Sequence, residues 1–331
     1  MLPELREHAG SVLQARFSSQ STRDFEQQAS LLHGWNQGYA QLSSGAFEGF
    51  VTEMQFADLH LFLEYTGQRL FQNGKLPDDV IAIGVPLALS SSGMFCGTAF
   101  SSPSLHIFSG KAGFEFYSPT GLVMGGIAVK RDALMASLTA DEQASLAQRC
   151  NQAHLLQLDK QGLQAIQQLM SEAFDMVRNN PSLIENKAVR ASLRKSVFAL
   201  VSQSLIEHEN GSEPVSTEKC WKIIAEARQL IHERTDSAAD SPLTVAELCL
   251  HLGVSRRTLQ NCFQNVLDTS PVAYLRAERL NGVRHMMKSA QSVTEAATHW
   301  GFWHFGHFSQ EYKKMFGELP SATFRRVRGF N

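Results

Sequence analysis

Between Ser255 and Val266 the chain presents two kinds of surface at helical spacing. Leu259, Cys262, Phe263 and Val266 fall at i, i+3, i+4 and i+7, one helix face that must be buried. The opposite face carries Arg256, Arg257, Gln260, Asn261 and Gln264. Upstream, Thr244-Val245-Ala246-Glu247 has the form of a capping box. It opens a short helix whose apolar stripe is Val245, Leu248, Cys249 and Leu252. Gly253 supplies the turn between the two helices, and Ser255 caps the second. The pattern predicts a helix-turn-helix over about 244–266.

The same pattern returns further on. Ser292-Val293-Thr294-Glu295 is a second capping box, 48 residues after Thr244, and Gly301 answers Gly253 at the same step. Val293, Ala296, Ala297 and Trp300 repeat the first stripe; Phe308 and Tyr312 answer Leu259 and Phe263, now 49 apart. A second motif is predicted over about 292–316, joined to the first by a long helix that Ser270-Pro271 opens. A further amphipathic helix spans Thr217 to Glu233.

The rest of the chain has a different texture. A short helix is expected around Asp24 to Leu32. From about 45 to 130, short apolar or alternating runs are broken by Gly, Ser and Pro, which predicts an antiparallel barrel or sandwich. From Arg131 the pattern is helical. Leu163, Ile166, Met170, Ala173 and Val177, then Val189, Leu193, Val197, Leu200 and Ser204 or Leu205, form near-heptad stripes. Such stripes either pack on the β-rich domain or form a dimer seam. The polar run Glu207 to Pro214 reads as a linker. The expected organisation is α+β: a β-rich sensor and dimerisation domain over 1–208, a linker over 209–216, and an all-α reading domain over 217–331.

Composition changes this picture little. The hydrophobic share of 43% and charged share of 19% are those of an ordinary globular protein. The N-terminus lacks the basic start and apolar core of a secretory signal, and no apolar run approaches membrane-helix length. Five cysteines without a C-x-x-C pair fit a reduced, cytoplasmic setting, with Cys249 and Cys262 as small core residues. The net charge of −2 hides an asymmetry: Ser241 to Asn331 holds 11 Lys+Arg against 6 Asp+Glu, the remainder 19 against 26. A basic segment on an acidic body favours localised nucleic-acid binding.

Chemistry beyond DNA reading is sparse. His299, His304 and His307 lack a completing Cys or carboxylate, so no metal site is expected. Gly121 to Gly126 opens no helix and Ser90 to Gly97 forms no strand-elbow-helix, so neither a dinucleotide loop nor a nucleophile is expected. His60 and His106 read as ordinary strand histidines. No catalytic constellation is visible. Arg can grip guanine O6 and N7, and Asn or Gln can pair adenine N6 and N7, so the polar faces point to base reading.

The closing stretch, Gly301-Phe302, Phe308, Tyr312-Lys313-Lys314-Met315-Phe316-Gly317 and Leu319-Pro320-Ser321, resembles the signature of the arabinose-regulator (AraC/XylS) family of bacterial transcription factors. Val254 to Asn261, Arg279-Leu280-Asn281 and Trp300 to His304 resemble a narrower group, the ethanolamine-utilisation activators and related amine-responsive regulators. Phe47-x-Gly49, Thr52-Glu53, Asp58 and Glu64 to Gly67 are similar to that group in the N-terminal half. The resemblance implies a cytoplasmic, effector-responsive homodimer, an activator rather than a repressor. Its implied partners are promoter DNA, RNA polymerase and a small amine, with a cobalamin as co-effector. Control by a protein partner is the alternative.

Carried onto this chain, the resemblance places Arg257, Gln260 and Asn261 on bases, with Arg256 nearer phosphate and Gln264 on the same face. It places Arg276 against the DNA backbone. In the second unit His304, Ser309 and Gln310 would meet bases and Lys313 phosphate. An amine effector needs acidic or aromatic partners, and Glu53, Phe62, Glu64 and Tyr65 are the candidates. A surface or hairpin salt bridge is the plainer role for any one of those carboxylates.

Overall fold

The computed structural model describes residues 15–110, 112–158, 160–206, 217–236 and 243–329 of the 331. The linker expected at 209–216 lies outside the described residues.

The strands in chain order are β1 (Arg16–Thr22), β2 (Asn36–Gln41), β3 (Gly49–Phe56), β4 (Leu59–Thr66), β5 (Leu70–Lys75) and β6 (Val80–Ala88). They continue with β7 (Gly93–Phe95), β8 (Thr98–Phe100), β9 (Leu105–Ile107), β10 (Phe114–Ser118), β11 (Leu122–Lys130) and β12 (His154–Leu156). One sheet runs β1-β3-β4-β11-β6-β9-β12 and a second β2-β5-β10-β7-β8, every described pairing antiparallel. Phe95, Phe100, Phe108, Phe114, Phe116 and Met124 fill the space between the sheets. The β-rich region is therefore wider than 45–130. Its outlying strands β1 (Arg-Phe-Ser-Ser-Gln-Ser-Thr) and β2 (Asn-Gln-Gly-Tyr-Ala-Gln) are sheet edges, where polar side chains replace the alternation that marks a half-buried strand.

The helices are α1 (Phe25–Ala29), α2 (Arg131–Met135), α3 (Ala140–Arg149), α4 (Lys160–Asn179) and α5 (Lys187–Ile206), then in the reading domain α6 (Thr217–Asp236) and six more. Those six are α7 (Val245–Leu252), α8 (Arg256–Leu267), α9 (Pro271–Met286), α10 (Val293–His299), α11 (Phe305–Phe316) and α12 (Pro320–Val327). Among the described residues no helix is long and apolar enough to cross a membrane.

Helices α4 and α5 lie on the outer face of the larger sheet. Ile166, Met170, Ala173, Val177, Val197 and Leu205 are buried in one cluster with Leu59, Leu61, Ile83 and Ile127. Most of both near-heptad stripes, Val189 excepted, is thus taken up by the intramolecular core, which favours packing on the β-rich domain over a dimer seam. Asp58, at the tip of the β3–β4 hairpin, receives Arg194 Nε at 2.8 and 2.9 Å and fastens α5 to the sheet.

The reading domain packs on the smaller sheet. Phe71, Met94 and Tyr117 share a cluster with Ile224, Leu259, Phe263 and Tyr274. Arg228 of α6 stacks over Phe71 at 3.7 Å and pairs with Glu115 at 3.2 Å. Cys262 is buried as expected but is not a free thiol: a disulfide joins it to Cys220 on α6, 42 residues away. That pairing depends on α6 lying along α8, with Cα atoms 4.8 Å apart, and no local spacing announces it. Cys96, Cys150 and Cys249 remain free.

Met170 is fully buried between α4 and the sheet. Met170→Ala should therefore cost about 2–5 kcal/mol in chemical denaturation. It should leave the oligomeric mass seen by light scattering unchanged; a change of mass without loss of stability would restore the seam.

Candidate DNA-reading surface and effector chamber

The first reading unit forms as its caps and stripe dictate. Thr244 Oγ1 accepts the Glu247 amide at 3.2 Å while Glu247 accepts the Thr244 amide at 2.8 Å. Gly253 ends α7 at φ +61°, a conformation that costs glycine nothing, and Ser255 accepts the Thr258 amide at 3.1 Å. Leu259, Cys262 and Phe263 are buried, whereas Val266 is half-buried and Leu267 takes the deeper place. Arg256, Arg257, Gln260, Asn261 and Gln264 are all exposed on the opposite face; Gln264 Nε2 also donates to Asp268 at 2.9 Å.

The second unit repeats the frame with different detail. Ser292 accepts the Glu295 amide at 3.0 Å, but Glu295 reaches back to the Gln291 amide at 2.7 Å rather than to Ser292. Phe308, Tyr312, Met315 and Phe316 are buried. His304, Gln310 and Lys313 are exposed and Ser309 is half-buried. His304 is the N-cap residue of α11 and gives it no side-chain cap. Trp303, Phe305, His307 and Lys314 are also exposed on this unit. Arg276 projects from α9 towards α11 and pairs with Glu311 at 3.2 Å, so a phosphate there competes with a carboxylate.

Between the sheets lies a small, partly enclosed chamber of about 10 Å³. It is lined by Trp35, Phe62, Glu64, Thr66, Phe116 and Met124, with others. Glu64 accepts from Gln28 Nε2 at 3.1 Å and from the Tyr39 hydroxyl at 2.9 Å, two neutral donors. Burial pushes its carboxyl up to about 7 in spite of those two bonds. Gln28 Oε1 and Thr66 Oγ1 are buried and meet no hydrogen-bond partner among the described residues.

The structure brings Glu64 and Phe62 to this chamber but separates the other two effector candidates from it. Glu53 is buried one strand away, where His60 at 3.1 Å and His33 hold it. Burial opposes its charge, but the His60 hydrogen bond and both histidines hold its carboxyl down at about 2. Tyr65 alternates out of the chamber by strand geometry and stacks on Phe50 at 5.5 Å. Gln28, Trp35 and Tyr39 went unnoticed in the sequence; they come from α1, a loop and β2, which only the fold brings to the Phe62, Glu64 and Thr66 face of β4. Glu53 takes the hairpin role, pairing with His60 across β3 and β4, whereas Glu64 takes neither a surface nor a hairpin salt bridge.

His106 is buried and its ring is held neutral by that burial, its pKa lowered to about 3. No group of three or more His, Cys, Asp or Glu able to hold a metal ion occurs among the described residues.

Two helix-turn-helix units bridged by one helix, with an exposed polar face on the first, define a DNA-binding domain. Residues 248–326 match the family model described as a helix-turn-helix domain. Over 96 residues the chain is 43% identical to the "Probable thc operon regulatory protein" of Rhodococcus erythropolis, covering 28% of this chain and 29% of that one. Over 88 residues it is 36% identical to the XylDLEGF operon transcriptional activator of Pseudomonas putida, covering 25% and 26%. The aligned stretch thus spans under a third of either relative. Among solved structures, the AraC-like transcriptional activator CuxR aligns over 80% of this chain and 94% of its own, with a TM-score of 0.39 and 16% identity, a likeness too low to argue from. Residues 248–326 thus form a helix-turn-helix domain.

The Glu64 carboxyl yields a pH prediction. Between its ordinary value near 4.5 and its folded value of about 7, the native state holds a proton that the unfolded state has released. Stability should therefore fall as pH rises through that window, by something on the order of 3 kcal/mol, and level off above it. Urea denaturation across pH 4.5–8 should show this slope, and Glu64→Gln should flatten it.

Proposed function

We propose that the chain is an effector-responsive transcription regulator, an activator, that reads promoter DNA through both helix-turn-helix units and senses a small amine in the barrel. The observation that carries the DNA half is the exposure of Arg256, Arg257, Gln260 and Asn261 together on one face of α8. Arg, Asn and Gln are the side chains suited to guanine and adenine edges, and an α-helix fits a major groove. The names of the relatives, an operon regulatory protein and an operon activator, support the same reading for this chain.

The amine half rests on Glu64. It is a buried carboxylate whose described partners are neutral, walled by Trp35, Phe62 and Phe116. An ammonium group would supply the missing countercharge and meet aromatic faces on entry. Glu53 is the poorer choice because two histidines already serve it. At about 10 Å³ the chamber holds at most one water, so a ligand binds a more open conformation and draws the population towards it. Helix α1 links that event to the readers. Gln28 touches Glu64 inside the barrel, and Asp24 and Glu26 at the start of α1 pair with Arg284 of α9.

Homodimer formation and contact with RNA polymerase belong to the same proposal and rest on resemblance. A cobalamin as co-effector likewise rests on resemblance alone. No step of the mechanism runs through it.

Arg257→Ala should cost about 1–3 kcal/mol on a preferred duplex and relax selection at one base pair. Fluorescence anisotropy on preferred and random duplexes checks this; equal losses on both would contradict base reading. In a thermal-shift panel of small amines, at least one should raise the melting temperature of the native chain and fail with Glu64→Gln. A protein partner in control would leave every amine silent.

A further inference from the structure

The two readers share a frame but not a chemistry. Across the recognition helices the repeat step is 49, so Phe305 stands where Arg256 stands, Gly306 where Arg257 stands, and His304 where the capping Ser255 stands. No Arg or Lys occurs between 302 and 312, so the second unit has nothing to grip guanine bidentately at its leading end. That end is the part of a recognition helix that meets base edges.

In place of the arginines stand two aromatics that the protein leaves in solvent. Trp303 is 63% exposed and Phe305 42%, and neither belongs to a hydrophobic cluster. Between Phe305 and His307 sits Gly306. A Cβ added there would meet nothing within 4 Å, so packing does not require glycine. Gly306 is the second residue of α11, where glycine is no better a helix former than alanine. A residue that does not strengthen its helix and fills no tight space leaves bare backbone on an outer face, which suits close approach by something else. Lys313 and Lys314 follow in the last turn, placed to hold phosphates.

Resting on the DNA-reading function above, we propose that the second unit selects its half-site through thymine methyl groups, contacted by Phe305 and Trp303, with Gly306 as the point of closest approach. Thymine is the base that offers an apolar group in the major groove, its C5 methyl, and phenylalanine is suited to meet it. The first half-site is read by hydrogen bonds from α8; the second is an A·T-bearing half-site read by apolar contact.

The test begins with selection of duplexes from a random library by the full chain, followed by anisotropy on the enriched sequence. Replacing thymine by uracil in the half-site distal to the one sensitive to Arg257→Ala should weaken binding about fourfold per contacted methyl. Phe305→Ala should remove that uracil penalty. Gly306→Ala should weaken binding about tenfold or more while leaving the melting temperature unchanged or raised. Specific binding that ignores the uracil substitution, a distal half-site enriched in G·C, or a penalty that survives Phe305→Ala would each overturn the proposal and leave DNA reading by α8 intact. Absence of any enriched sequence would overturn both.

Discussion

A buried guanidinium binds the two halves of this protein to each other. The Arg284 side chain on α9 is 3% exposed and lies within reach of Asp24 (3.0 Å), Glu26 (4.0 Å) and Glu318 (2.9 Å). Burial works against its charge, but Tyr312, Asp24 and Glu318 outweigh that and keep it protonated. Arg326 joins the same carboxylates, and the guanidinium also lies over Phe25 and Phe316. Removing one side of such a cluster strands a charge in low dielectric, at a cost of about 3–5 kcal/mol. Helix α9 therefore cannot leave α1 as a sliding apolar surface could. It either keeps its carboxylates or exchanges them for water in one step, which makes the interface two-state in character.

Neutral bonds set the register around that cluster. Gln41 Nε2 donates to the Met315 carbonyl at 2.6 Å, Asn281 bonds the Gln41 backbone in both directions, and Arg69 donates to the Leu267 carbonyl. These contacts reach both reading units, one through the end of α8 and one through the end of α11. A shift of the barrel against α9 thus alters how the two units are held relative to the sensor. Helix α1 is only five residues long, so Asp24 and Gln28 lie one turn apart and cannot move independently. Under the proposed function a ligand would contribute its preference for a more open chamber, and the readers would respond by no more than that difference.

The elements legible in the sequence are those whose signals are local. Caps, stripes and turn glycines marked α7, α8, α10 and α11 nearly to the residue, because an exposed helix must satisfy its own ends and bury its own face. Strands β1 and β2 were hidden because an edge strand needs no apolar alternation. The heptads of α4 and α5 were ambiguous in principle: a sheet and a partner helix demand the same stripe, and only tertiary packing chose the sheet. The chamber was half legible. Phe62, Glu64 and Thr66 share one face of β4 and could be grouped from sequence, whereas Tyr39 joins them through the pairing of β2 with β5 and Gln28 through the packing of α1. The Cys220–Cys262 bond belongs to the same class of feature, set by helix packing 42 residues apart.

Duplication explains why the two readers agree inside and differ outside. Leu259 and Phe308, Phe263 and Tyr312 occupy equivalent buried places, and each must fill its core or lose several kcal/mol. No such constraint acts on the outer faces, where Arg256-Arg257 in one copy faces Phe305-Gly306 in the other. The joining helix α9, anchored at Arg284, fixes the separation of the copies, so neither outer face has to maintain it. Spacing is thereby carried by buried charge and affinity by the exposed side chains. With those duties divided, one copy can exchange hydrogen-bond donors for aromatic rings without disturbing how the other meets the duplex.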